Sequence, residues 1–164
     1  MEHKATQGGP LALLDWPPVW TAAAVALAFG AGRLMRWDIL AGPGRGFGVS
    51  LALAGLGLMA AAVWEMRRAR TTVIPRRDPQ ALVTTGIFAH SRNPIYLGDV
   101  LVVAGAILWF RAPWALPLVV VFAWVLETRF IRGEEAVLAA RFGAGYRDWA
   151  ARTGRWLGRP PAQP

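Results

Sequence analysis

The stretch FGVSLALAGLGLMAAAVW, Phe47 to Trp64, runs for 18 residues without a charged side chain. A helix that crosses a bilayer needs roughly 17–25 predominantly apolar residues. The hydrocarbon offers no water to backbone polar groups, and a helix satisfies its own. Three further runs share this character. Val19 to Leu34 is uncharged as far as Arg33 and follows the helix-starting pair Pro17-Pro18. Ile95 to Phe110 is apolar except for Asp99, and Ala112 to Leu126 is uncharged but carries Pro113 and Pro117. Trp20, Trp37, Trp64, Trp109, Trp114 and Trp124 lie near the ends of these runs, where an interfacial aromatic belt is expected. The sequence therefore predicts an all-α integral membrane protein forming one domain over residues 1–164. It should have about four transmembrane helices, at 19–35, 47–64, 95–110 and 112–126, the last two forming a tight hairpin around Arg111.

Composition agrees. Of 164 residues, 55% are hydrophobic and 17% charged, with a mean hydropathy of +0.35, where a soluble domain of this length carries more charge. The absence of cysteine excludes disulfides, thiolate metal sites and Cys nucleophiles. His3 and His90 have no companion at ligand spacing, so no metal site is predicted, and no Gly-x-Ser-x-Gly occurs. A net charge of +8 in a chain with long apolar runs points to an anionic membrane surface rather than to nucleic acid. The glycines Gly42, Gly44, Gly46 and Gly48 superficially resemble a phosphate loop, but no strand precedes them. A flexible turn with close packing at the next helix start accounts for them, and Gly55 and Gly57 should let a neighbouring helix approach.

Arginine distribution orients the spans. Four spans collect fourteen Lys and Arg on one side and four (Arg33, Arg36, Arg45 and Arg111) on the other. The positive-inside rule puts both termini in the cytoplasm, in a bacterial-type inner or plasma membrane. Two polar clusters then share that compartment: the turn-rich segment Leu82 to Tyr96, within a cytoplasmic loop at 71–94, and Glu134-Glu135 in the tail. In the tail, Ile131, Glu135, Leu138 and Phe142 share a face at helical spacing. Gly143 and Gly145 end that helix, and Tyr146-Arg147-Asp148-Trp149 opens a second amphipathic stretch, so 129–157 should form surface helices.

Each polar residue has a structural alternative. Glu134 and Glu135 pair with Arg129, Arg132 or Arg141, or else bind a cationic or hydroxyl-bearing ligand. Arg92 snorkels at the boundary or clamps a carboxylate with its planar fork. Tyr96 and Asp99, three residues apart, share a helix face just inside the membrane, where an acid is costly and marks either a packing partner or a functional group.

Leu82 to Gly98, the hairpin, Glu134-Glu135-x-x-Leu138-x-x-x-Phe142-Gly143-x-x-Tyr146 and Arg155-Trp156-Leu157 together resemble the isoprenylcysteine carboxyl methyltransferase family and the related phospholipid methyltransferases. The likeness covers roughly Thr71 to Leu157, with two separated motifs in the right order. It implies an integral membrane methyltransferase using S-adenosyl-L-methionine, with a lipophilic or small acceptor bearing a carboxylate, amine or thiol. By position, Leu82, Val83, Gly86, Phe88, Asn93, Pro94, Tyr96, Glu134 and Glu135 would hold the cofactor, and Arg92, Tyr96 and Arg129 would act on the acceptor. Asn93 stands where eukaryotic members of the resembled family have His, so it positions rather than titrates. An ionised carboxylate acceptor needs alignment and water exclusion rather than a base, whereas an amine must lose a proton, with Tyr96, Asp99 or a Glu as candidates. Two other classes compete: a non-catalytic protein of the same fold, and an NADPH-dependent membrane reductase.

Overall fold

Proline sets where the helices begin. Helices α1 (Pro17–Leu34), α2 (Pro43–Arg68), α3 (Pro94–Trp109) and α4 (Pro117–Leu126) each carry it in their first turn. There its fixed φ suits the helix and its missing N–H leaves no bond unmade. The computed structural model describes residues 16–37, 42–72 and 79–158; His3 lies outside them, as do Lys4, Arg76, Arg77 and Arg159 among the fourteen cations counted on the cytoplasmic side. All regular structure among the described residues is helical. The fourth apolar run begins with a 3-10 turn, Pro113–Ala115, before α4. At its far end α4 does not stop. It passes through a π-helical turn, Glu127–Ile131, into α5 (Arg132–Ala150), so span and tail form one rod of 38 residues, Pro113–Ala150. The rod and α2 are long and apolar enough to cross a membrane, while α3 is apolar but only 16 residues long. Inside α5, Gly143 breaks the helical path at φ 53°, ψ −118°, a conformation open to glycine, and a second helical piece follows it.

α3 is the axis on which the other helices pack. Against α2 the contact is backbone to backbone, through two glycine pairs seven residues apart on each helix. A Cβ on Gly55 would stand 2.5 Å from the carbonyl oxygen of Gly98, and one on Gly48 would stand 2.7 Å from that of Gly105. The expected close packing at the α2 start is thus supplied by Gly48. The expectation for Gly57 fails, because nothing lies within 4 Å of its Cβ position. Two residues along a helix turn the side chain by about 200°, which carries Gly57 to the opposite face. Against α1, the Thr21 hydroxyl donates to Asp99 Oδ1 at 2.9 Å, so the acid inside α3 has a partner on the neighbouring helix. Ala24 and Ala28 of α1, Val103 and Ile107 of α3, and Phe122 and Leu126 of α4 form the core between these helices. Leu27, Leu53, Leu56, Val120 and Val121 are exposed on the outer faces.

The glycine contact sets a test. Gly55→Ala should destabilise the protein by about 1–3 kcal/mol, because the α2 and α3 backbones must separate, whereas Gly57→Ala should be neutral within about 0.5 kcal/mol. Thermal unfolding in detergent separates the two; equal effects would rule out the glycine pairing.

Candidate active site

The chain folds its tail back onto the start of α3. The Arg92 amide donates to the Gly154 carbonyl at 3.0 Å, and the Gly158 amide donates to that of His90 at 3.0 Å. The Trp149 indole donates to the Phe88 carbonyl at 3.0 Å. These bonds bring Arg155 beside α3 and the rod.

Glu135, buried, is engaged on both oxygens. Its Oε2 accepts from Arg155 Nε at 3.1 Å and Nη2 at 2.7 Å. Its Oε1 accepts from the Asn93 amide at 3.2 Å and faces Arg92 Nη2 at 3.5 Å. Asn93 stands at the N-cap position of α3, yet its side chain caps nothing there; its amide goes to Glu135 and to the Arg155 carbonyl, 3.2 Å away. Arg155 Nη1 reaches Glu127 Oε1 at 2.9 Å, an oxygen shared with Arg132 at 3.0 Å, and the Trp156 indole donates to Glu127 Oε2 at 3.3 Å. The hydrogen bonds to Glu135 raise the already high pKa of the Arg155 guanidinium by more than burial lowers it, and the charges of Glu135 and Glu127 add to the rise, so it stays charged.

The π-helical turn makes this bridge possible. Eight residues of plain α-helix would leave Glu127 and Glu135 about 80° apart around the axis. One added residue in a wider turn brings the eight close to two full turns, so both carboxylates meet one guanidinium.

Glu134, half-buried, accepts from the Tyr96 hydroxyl at 2.8 Å, and the Tyr96 ring stacks on Phe130 with centroids 6.4 Å apart. Arg92 Nη1 donates to Tyr146 Oη at 3.2 Å, while its Nε is buried without a hydrogen-bond partner. Leu82, Val83 and Phe88 pack with Ala62, Tyr146 and Trp149 in a second apolar cluster beside this network. Gly86 lies at φ 57° against the Glu65 carboxylate, which also accepts from the Thr85 hydroxyl at 3.3 Å. A cavity of about 440 Å³ opens on the same segment, lined by Thr84, His90, Trp149, Arg152 and Thr153.

The two polar clusters of the sequence therefore meet. Arg92 and Asn93 join Glu135 in one network, Tyr96 pairs with the adjacent Glu134, Pro94 is buried in the first turn of α3, and Leu82, Val83 and Phe88 form an apolar wall. Gly86 contacts Glu65, and Arg129 is exposed on the π-helical turn. Sequence reasoning passed over Glu127 and assigned no role to Arg155 or Tyr146. The available signal was Glu127 as the first charge after the fourth apolar run.

A charged network at the start of α3, beside helices of which two are long and apolar enough to cross a membrane, makes this an all-helical protein with a polar centre among the described residues. Residues 44–145 match the model of the phospholipid methyltransferase family, and the chain belongs to that family, whose members are methyltransferases. The matched residues include Arg92, Asn93, Tyr96, Glu127, Glu134 and Glu135; Tyr146 and Arg155 lie beyond them. No curated protein and no solved structure matches the chain.

Removing Glu135 leaves the buried Arg92 guanidinium without its carboxylate and Arg155 with Glu127 alone. Glu135→Ala should cost about 3–5 kcal/mol and expose the 151–158 segment to protease. Arg132→Ala, at an exposed pair, should cost only ~0–1 kcal/mol. Unfolding curves combined with limited proteolysis check both, and a silent Glu135→Ala would show that the tail is held by something else.

Proposed function

We propose that this chain is an S-adenosyl-L-methionine-dependent integral membrane methyltransferase acting on a lipophilic or small acceptor. The observation that carries the proposal is the junction of the two polar clusters, Tyr96 on Glu134 at 2.8 Å, within the residues that match the family. The four-span arrangement belongs to the same proposal. At 1.5 Å per residue α1 and α3 are about 27 and 24 Å long, close to the roughly 30 Å of bilayer hydrocarbon, and the rod, at about 45 Å as far as the Gly143 break, extends well beyond it. α4 then lies in the bilayer and α5 projects into the compartment that holds the charged network. Apolar residues on the outer faces of the helices meet lipid, and the arginine excess makes the network's side cytoplasmic.

The donor set fits the cofactor. S-adenosyl-L-methionine presents a carboxylate, an ammonium and a sulfonium, and when bound it supplies an electrophilic methyl group whose sulfur departs neutral. The buried unpartnered Nε of Arg92 suits a carboxylate, and Glu134 suits a cation. Glu135, with both oxygens engaged, holds Arg92 and Asn93 in place rather than meeting the ligand. Tyr96 orients Glu134; Leu82, Val83 and Phe88 exclude water along one wall, and Gly86 shapes the loop that carries them. Arg129, exposed on the π-helical turn, is placed to meet an acidic acceptor arriving from the membrane surface. Holding donor and acceptor in line can supply about 7–11 kcal/mol of the barrier, so a carboxylate or thiolate acceptor needs no strong base.

Binding of S-adenosylmethionine and S-adenosylhomocysteine to the purified protein in detergent tests the proposal. Affinity in the micromolar range or tighter is expected. Glu134→Gln should weaken it about tenfold to a hundredfold, since it removes a charge-assisted interaction. Binding of NADPH with neither sulfur compound bound would replace this assignment with a reductase, and binding of none of the three would leave a non-catalytic family member.

A further inference from the structure

At the end of the bundle opposite the charged network, α1 finishes, α2 begins and α3 finishes, and four arginines meet there. Arg33 and Arg36 of the α1 end, Arg45 of the α2 start and Arg111 after α3 line a cavity of about 90 Å³ with Phe29 and Trp109. That volume is well above the roughly 10–15 Å³ one water needs. We infer that this cavity binds the phosphate of an anionic phospholipid, in the leaflet opposite the methyl-transfer site.

Charge is the first support. No described carboxylate pairs with Arg33, Arg36 or Arg45. The described acids are Glu65 at the far end of α2, Asp99 within α3 and held by Thr21, and Glu127, Glu134, Glu135 and Asp148 on the rod beyond α4. The cations instead lie against π faces and a carbonyl. The Arg33 guanidinium is 5.9 Å from the Phe29 ring centroid, that of Arg45 is 5.5 Å from the Trp109 ring, and Arg36 Nε donates to the Gly32 carbonyl at 3.2 Å. These contacts fix the guanidinium groups without neutralising them, and planar forks of this kind match phosphate oxygens.

Helix electrostatics is the second support. Arg33 and Arg36 suit the negative end of α1, but Arg45 stands in the first turn of α2, at its positive end, with no acidic residue in that turn. An anion in the cavity would offset the repulsion. Depth selects its source. Trp37, Trp109 and Trp114 are exposed around this end, as side chains at headgroup level are, and lipid phosphate is the abundant anion there. Along α3, Trp109 is thirteen residues from Tyr96, about 20 Å at 1.5 Å per residue, so the cavity is separate from the charged network. The inference rests on the spanning arrangement proposed above and not on methyl transfer.

Native mass spectrometry and thermal unfolding of the full chain in detergent test it, with phosphatidylglycerol, phosphatidylcholine and inorganic phosphate as probes. Phosphatidylglycerol should bind and stabilise more than phosphatidylcholine. The double variant Arg33→Gln/Arg45→Gln should bind it about thirtyfold more weakly, from about 1 kcal/mol per surface cation. That variant should keep its affinity for S-adenosylhomocysteine, and Glu134→Gln should keep its affinity for phosphatidylglycerol, so the two proposals fail separately. Equal lipid binding by wild type and double variant would overturn the site. Protection by inorganic phosphate matching that by lipid would overturn the lipid assignment. Should the double variant not fold, wild-type affinity for phosphatidylglycerol that does not fall as salt rises would overturn the inference as well.

Discussion

A buried carboxylate must have its charge matched, and in this protein the match at Glu135 organises everything around the polar centre. Arg155 covers one oxygen of Glu135, while Asn93 and Arg92 cover the other. Those three residues come from two places remote in sequence: the segment entering α3 and the segment leaving α5. The ion pair therefore joins the rod, the first turn of α3 and the returning tail at one point. Because desolvated charge tolerates no vacancy, the arrangement is a constraint on the fold as much as a gain in stability. Beside it, Glu134 accepts from Tyr96, and the Arg92 Nε is buried without a hydrogen-bond partner.

Two backbone devices put these groups within reach of each other. The π-helical turn rotates Glu127 into line with Glu135, so that a single guanidinium serves both. The paired glycines of α2 and α3 let two backbones touch, which fixes α3 along its length and hence the height of Tyr96. The result is a helix whose two ends do different things. Its start carries Asn93 and Tyr96 against the acids of the rod, and its finish carries Trp109 and Arg111 into a cluster of arginines. Thr21 and Asp99 hold α1 to the middle of it.

Much of this was legible before any coordinates. The apolar runs located the helices to within about five residues, although only Pro17-Pro18 was read as a helix start, and Gly143 marked the break in the tail because glycine takes that conformation readily. The segment around Arg92 and the Glu134-Glu135 pair stood out as polar groups at the ends of greasy spans, and they are the groups that meet. The tail read as surface helices over 129–157 is helical, but it follows α4 without a break. Glu127 to Ile131 contains no proline or glycine to end a helix, and the backbone continues with one widened turn instead. Gly57 was credited with a contact that Gly55 alone makes, since spacing in sequence does not say which face of α2 meets α3.

The sequence by itself determined the class of secondary structure, the number of apolar segments and the residue types available for a polar centre. Those properties follow from local backbone preferences and the cost of placing charge in an apolar run. Which acid meets Arg155 and which meets Tyr96 was decided only by the tertiary structure. Glu134 and Glu135 are adjacent and chemically identical, and they differ because about 100° of helical rotation turns one toward Arg155 and the other toward Tyr96. Long-range pairing of that kind depends on where the tail returns, and no local preference encodes it.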